Sequence, residues 1–126
     1  MAQTNKPQSL CIAQDFIQTG LDEAVVLGTS MANVLVIDCK KLRSVTVMLR
    51  LDDGAIDGDY QVFSTCKENP SETVTSDEWF AEKASTALTH NVNSKDTFTG
   101  NFTFIIVQAK ADSGTPTLKA WYKGSN

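Results

Sequence analysis

The sequence predicts an all-β protein, an antiparallel β-sandwich of jelly-roll type with seven or eight strands. Residues 42–51 alternate apolar and polar side chains with a period of two, which is typical of a strand with one buried face. Short apolar segments recur along the chain between turn-forming residues, and helices do not alternate with them. A barrel is the alternative architecture for such a pattern.

The individual strands are predicted from apolar segments bounded by glycine, proline, aspartate or asparagine. In chain order they cover residues 10–13, 24–27, 33–38, 42–51, 60–66, 101–109 and 117–122. Residues 101–109 are apolar on both faces at their centre, which indicates a central strand that is covered on each side. Turns are predicted at residues 18–20, 52–59 and 112–116, and polar loops at residues 67–75 and 90–100.

One short helix is predicted in the second half of the chain. Thr75 and Glu78 have the spacing of a capping box, and Phe80, Ala84 and Leu88 follow on one helical stripe. Trp79 and Phe80 form a large apolar pair within a long polar connection. The pair either caps one end of the sandwich or fills a pocket on a partner.

Length, charge and composition indicate one domain, residues 10–126, preceded by a polar arm, residues 1–9. A net charge of −4 makes nucleic acid and an anionic membrane surface poor partners. No apolar stretch approaches the length of a membrane span, and the first residues lack the apolar region of a secretory signal, so export is not expected. The three cysteines are expected to be reduced and mostly buried, as in a protein folded in a reducing cytoplasm.

The sequence offers little catalytic chemistry, so we expect a protein that is not an enzyme and needs no cofactor. His90 is the single histidine and has no nucleophile motif beside it. Neither a phosphate-binding glycine motif nor a zinc-binding cysteine spacing occurs. Four aspartates within residues 52–59 raise a calcium hypothesis, but they lack the order of an EF-hand loop, and turn formation is the preferred interpretation, with no metal site predicted.

The order of strands and turns resembles small β-sandwich virion proteins of tailed bacteriophages, of the capsid cement or decoration type. The resemblance covers residues 22–124. Its segments are residues 34–38 (VLVID), 42–51 (LRSVTVMLRL), 58–65 (GDYQVFST), 104–111 (FIIVQAKA), 113–115 (SGT) and 117–122 (TLKAWY). It implies a non-enzymatic protein made in the host cytoplasm and located in the virion. Such proteins bind the major capsid protein between capsomers, or other virion proteins, as homo-oligomers, usually dimers or trimers.

Three parts of the chain are predicted to make the contacts with partners. They are the arm with Gln3, Lys6 and Pro7, the pair Trp79 and Phe80, and the basic cluster with Lys40 and Lys41. Two other functions stay open. One is a tail, baseplate or fibre component of the virion, and the other is a carbohydrate-binding β-sandwich that stacks sugar rings on Trp79 or Trp121.

Overall fold

The computed structural model describes residues 16–52 and 55–125, with only the backbone described for residues 16–24. This part of the chain forms eight strands and no helix. They are β1 (Phe16–Val26), β2 (Ala32–Asp38), β3 (Ser44–Leu51), β4 (Gly58–Thr65), β5 (Phe80–Leu88), β6 (Ser94–Thr99), β7 (Phe104–Ala111) and β8 (Thr117–Ser125). The predicted arm and the predicted strand over residues 10–13 lie outside the described residues.

The strands form two four-stranded antiparallel sheets with the orders β1-β8-β3-β6 and β2-β7-β4-β5. Every connection between consecutive strands crosses from one sheet to the other except that between β4 and β5, which are neighbours in the second sheet. Two four-stranded sheets wound in this order are a jelly roll. The predicted jelly-roll sandwich is therefore confirmed.

The core lies between the sheets and is made by alternate residues of the strands. Val45, Val47, Leu49 and Leu51 of β3 are buried, and the residues between them are half-exposed. The neighbouring strand β8 and the strands of the facing sheet contribute apolar side chains on the same alternation, among them Leu35, Ile37, Val62, Ile105, Val107, Ala109, Leu118 and Ala120. The period-two pattern that predicted a half-buried strand at residues 42–51 is thus the pattern that builds the core.

The predicted helix is wrong, because residues 80–88 form strand β5. This strand pairs antiparallel with β4, with Ala81 opposite Phe63 and Leu88 opposite Gly58. Of the supposed helical stripe only Leu88 is buried, while Phe80 and Ala84 are exposed. The residues that resembled a capping box form a single turn, in which the backbone N–H groups of Glu78 and Trp79 donate to the Thr75 carbonyl.

Two other local predictions are also corrected. The polar stretch at residues 90–100 contains strand β6, which pairs with the well-predicted strand β3. Polar residues are accepted there because β6 lies at the edge of its sheet. The predicted turn at residues 18–20 falls within β1, where the pairing with β8 shifts register between Gln18 and Leu21.

The topology gives the sandwich two free sides and two ends. β5 and β6 are the edge strands on one side, since Lys83 of β5 and Asp96 of β6 form an ion pair across the gap between the sheets. β1 and β2 are the edge strands on the opposite side. At one end, here called the Lys40 end, even-numbered strands finish and odd-numbered strands begin.

Gly58 allows β4 to begin close to β7. A Cβ atom at this position would lie 2.2 Å from the Lys110 carbonyl oxygen, which is backbone and cannot rotate away. We expect Gly58→Ala to lower the free energy of unfolding by about 1–3 kcal/mol, measured by urea denaturation. Gly28→Ala is the matched control, because a Cβ there has no atom within 4 Å, and equal losses for the two variants would contradict the prediction.

Candidate functional site

The segments that the sequence singled out for partner contacts meet at the Lys40 end. Lys40 and Lys41 lie in the turn that follows β2, and Trp79 and Phe80 stand where β5 begins. β1 begins at this same end, because Phe16 pairs with Gly124 near the finish of β8. The described residues therefore begin at the same end as both clusters, on the side formed by β1 and β2, while Gln3, Lys6 and Pro7 themselves lie outside the described residues.

Residues 66–79, here called the β4–β5 loop, are tied together by their own hydrogen bonds. Glu78 accepts from the Lys67 Nζ at 2.7 Å and from the Ser71 backbone N–H at 3.0 Å. The Trp79 Nε1–H donates to the Ser71 carbonyl at 2.9 Å, and the Thr65 hydroxyl donates to the Glu78 carbonyl at 2.6 Å. The Lys67 ammonium, followed by the Ser71 N–H, holds the pKa of Glu78 below its ordinary value. A loop closed by its own side chains presents a defined surface.

The β4–β5 loop extends over the outer face of its own sheet. The Asn33 Nδ2 of β2 donates to the Glu72 carbonyl at 2.9 Å, although β7 lies between β2 and β4. Beneath the loop, Asn33, Gln108 and Gln61 form a row of amide hydrogen bonds of 2.7–2.8 Å across three strands. Ile106 faces outward from β7 and yet is fully buried.

Trp79 and Phe80 have opposite environments. Trp79 is 6% exposed and its ring nitrogen is bonded within the loop, so this side chain stabilises the loop. Phe80 is 68% exposed, the highest value among the large apolar side chains of the described residues. Of the pair, Phe80 therefore has the ring that a partner of the single chain can reach.

Lys40 is held against the end of the second sheet. Its Nζ lies 4.5 Å from the centroid of the Phe104 ring and 3.2 Å from the Asp38 Oδ2. The pKa of Asp38 is lowered chiefly by the hydrogen bond from the Lys40 backbone N–H. Phe104 pairs with Thr65, which in turn bonds to the Glu78 carbonyl, so Lys40 and the β4–β5 loop are joined through adjacent strands.

In the predicted acidic loop, Asp52 pairs with cationic side chains and Asp57 with a histidine. Asp52 accepts from Arg50 at 2.7 Å and lies 3.4 Å from the Lys119 Nζ, and the Arg50 bond is the main reason for its lowered pKa. Asp57 accepts from the His90 backbone N–H at 2.9 Å, which is the first cause of its own lowered pKa. In residues 16–52 and 55–125 no group of three or more histidine, cysteine or acidic side chains is arranged to hold a metal ion.

The two cysteines of the described residues differ in environment. Cys39 is fully buried, and burial raises the pKa of its thiol to about 12, so the thiol is protonated at neutral pH. Cys66 is exposed at the start of the β4–β5 loop, whereas the cysteines were expected to be mostly buried. Within the described residues no helix is long and apolar enough to cross a membrane.

A polar cluster that the sequence did not reveal joins the two sheets near the β5–β6 side. The Tyr60 hydroxyl of β4 donates to the Asp96 Oδ2 of β6, and the Lys83 Nζ of β5 lies 3.1 Å from the other oxygen. Burial, followed by the hydrogen bond to Asp96, raises the pKa of Tyr60. These residues are far apart in sequence, and only the pairing of β5 and β6 with their sheets brings them together.

No family model and no curated protein matches the chain. Among solved structures it is similar to one described as infectious bursal disease virus, Gx strain, with 9% identity and a TM-score of 0.48. That similarity covers 89% of this chain and 32% of the viral chain, so the chain spans about a third of it. Another is described as Bacillus endospore appendages that form a novel family of disulfide-linked pili, with 10% identity, a TM-score of 0.40 and coverage of 97% and 100%. The jelly-roll assignment rests on strand order and not on these similarities.

Replacing each aromatic residue of the pair tests their division of roles. We expect Trp79→Ala to lower the free energy of unfolding by about 3–5 kcal/mol, because a large buried side chain is lost. Phe80→Ala serves as the control and is expected to change it by less than about 0.5 kcal/mol, because the ring is exposed. Urea denaturation at low protein concentration, where association contributes little, measures both. A larger loss for Phe80→Ala would contradict the assignment.

The lowered pKa values of Asp38, Asp52, Asp57 and Glu78 predict how stability depends on pH. Their contribution is complete above the unfolded carboxyl pKa of about 4 and is lost as the pH falls through the lower folded values. We expect the urea midpoint to decrease as the pH is lowered from 5 to 3. Glu78→Gln is expected to make this decrease shallower, and a midpoint independent of pH in this range would contradict the prediction.

Proposed function

We propose that this protein is a non-enzymatic structural component of a tailed-bacteriophage virion that cements or decorates the capsid. It binds the major capsid protein between capsomers through the Lys40 end. It is made in the host cytoplasm and is then located in the virion. Two observations support this proposal. The order of strands and turns resembles such proteins, and the described residues that were predicted to contact partners lie at one end of the sandwich.

The observation that carries the proposal is that two segments far apart in the chain lie at one end of the sandwich. Lys40 and Lys41 stand about 40 residues from Trp79 and Phe80 along the chain, and β1 begins at the same end. Positively charged and aromatic segments at one end support binding to a partner that extends beyond a small ligand. The described part of the opposite end presents mainly aspartates paired with arginine, lysine and histidine.

A weak contact by each copy is sufficient for this function, because many copies bind the same shell. Each copy contributes a small free energy, and many copies on a regular shell hold neighbouring capsomers in register. A protein that binds the assembled lattice and not the free subunits stabilises that lattice by mass action. The rigid sandwich suits this role, because little conformational entropy is lost when its preformed Lys40 end binds.

Co-sedimentation with expanded capsids tests the proposal. We expect deletion of residues 1–9 to reduce occupancy, and Lys41→Gln to weaken attachment while leaving the fold intact, because Lys41 is exposed. Lys95→Gln is the matched control, since Lys95 is also exposed but stands on β6 toward the other end. Unchanged occupancy of the capsid by both test variants would contradict binding through the Lys40 end.

The other candidate functions predict binding to different partners. Binding to tails or baseplates and not to capsids would place the protein in another part of the virion. Binding of the isolated protein to glycans, lost on Trp121→Ala, would indicate a carbohydrate-binding module. Trp79 is a poor choice for sugar stacking, because its ring is buried beside the β4–β5 loop.

A further inference from the structure

The outer face of the sheet that contains β3, β6 and β8 is positively charged, although the chain as a whole is negative. On these three strands the residues between the inward-facing ones point away from the core, and they include four cationic side chains and no acidic one. The four are Arg50, Lys95, Lys119 and Lys123. The β4–β5 loop, over the other sheet, carries four acidic residues and one lysine. A net charge of −4 thus conceals two surfaces of opposite sign.

Two of these four cations are not neutralised by the described residues. Arg50 and Lys119 share Asp52, at 2.7 Å and 3.4 Å, at one end of the face. Lys95 and Lys123 are exposed and have no acidic partner among the described residues. They stand on either side of β3 and two residues apart in register. Their backbone positions are therefore about 12 Å apart, from a strand spacing of about 4.8 Å and a rise of about 3.4 Å per residue.

An aromatic residue lies near both unpaired lysines. Trp121 is opposite Met48, and Met48 is opposite Lys95, so these three residues form one row across the sheet. Lys123 follows Trp121 by two residues on β8 and shares its face. Trp121 and Met48 are half-buried, so part of each side chain is open to solvent. The face therefore has an apolar centre with a cation on two sides.

Hydroxyl side chains occupy the rest of this face toward the Lys40 end. Thr46 and Thr97 lie in the row next to Met48, and their hydroxyl oxygens are 2.8 Å apart. Ser44, Thr99 and Ser125 form the row beyond. Each hydroxyl both donates and accepts hydrogen bonds. A ligand that carries hydroxyl groups, apolar ring faces and negative charges matches this combination of side chains.

We infer that the outer face of β3, β6 and β8 binds an acidic polysaccharide in which an uncharged sugar separates successive carboxylates. A sugar ring stacks on Trp121, and carboxylates on either side of it pair with Lys95 and Lys123. Charge complementarity selects the acidic ligand, and the hydroxyl rows provide hydrogen bonds to its sugar hydroxyls.

Two observations favour a polysaccharide over nucleic acid. A DNA strand carries one charge per about 3.4 Å, whereas the unpaired lysines stand about 12 Å apart and match a polymer of lower charge density. Trp121 is also the only aromatic residue at the outward positions of β3, β6 and β8. Single-stranded nucleic acid is instead held by several aromatic residues that stack successive bases.

The inference goes beyond the proposed function, because it assigns a second ligand to a different surface. Attachment through the lysine turn at the Lys40 end leaves the row of Trp121 and Lys95 uncovered. Because the two ligands use different residues, polysaccharide binding does not exclude attachment to a capsid.

NMR titration of the ¹⁵N-labelled full chain locates the ligand. The acidic probes are decasaccharides of hyaluronan and of unsulfated chondroitin, which both carry one carboxylate in each disaccharide. A dextran decasaccharide and decathymidylate are the uncharged and nucleic-acid comparisons. We expect an acidic probe to shift the Trp121 indole N–H and the backbone N–H groups of Thr46 and Lys95, and each comparison to bind at least about tenfold more weakly. No shift with either acidic probe, shifts confined to other surfaces, or tighter binding of a comparison would overturn the inference.

Calorimetry with the tighter acidic probe measures the side chains. Trp121→Ala is expected to weaken binding at least about tenfold, as is usual for an aromatic anchor. Lys95→Gln and Lys123→Gln are each expected to weaken it about threefold and to reduce its dependence on salt. Lys110→Gln is the matched control, because Lys110 points outward from β7 in the other sheet. The lysine variants test the inference even if loss of the Trp121 ring perturbs folding. Unchanged affinity for both of them, or an equal loss for Lys110→Gln, would overturn it.

Two of these variants separate the inference from the proposed function. Lys95→Gln is expected to weaken polysaccharide binding and to leave capsid occupancy unchanged, and Lys41→Gln is expected to do the reverse. Polysaccharide binding by a protein that does not attach to capsids would overturn only the proposed function. Attachment to capsids by a protein that binds neither acidic probe would overturn only this inference.

Discussion

The structure depends on burial of the alternate side chains of each strand between the two sheets. β3 shows the constraint most clearly, because Val45, Val47, Leu49 and Leu51 are all buried and the residues between them are not. A strand with one apolar face needs a second sheet to cover it. Crossing from sheet to sheet at nearly every connection meets this need. It also places the connections at the two ends of the sandwich, and the lysine turn and the start of β5 both lie at the Lys40 end.

The connection from β4 to β5 is the exception, and it gives the Lys40 end its particular form. Because β4 and β5 are neighbours in one sheet, the 14 residues between them are not needed to cross the sandwich. They fold instead over the outer face of their own sheet and reach Asn33. Burial of Trp79 within this loop supplies the apolar contact that keeps it closed, and it leaves Phe80 as the first residue of β5.

The strongly alternating strands and the apolar edge strand β2 were predictable from sequence, and the edge strands β5 and β6 were not. β3, β7 and β8 lie inside their sheets, where burial of one or both faces imposes an apolar pattern that can be read directly. β5 and β6 each have one neighbouring strand, and their residues are largely polar or small. In β5 the spacing of Phe80, Ala84 and Leu88 therefore resembled a helical stripe. Pairing with β4 overrides that local preference, since hydrogen bonds to a well-formed strand satisfy the backbone of β5.

The candidate site shows the same division between local and long-range information. Residue type alone pointed to Lys40, Lys41, Trp79 and Phe80, but no local pattern indicates that they share one end, because this follows from the strand order. Nor does sequence distinguish Trp79 from Phe80, since two adjacent aromatic residues acquire opposite environments when the strand begins between them.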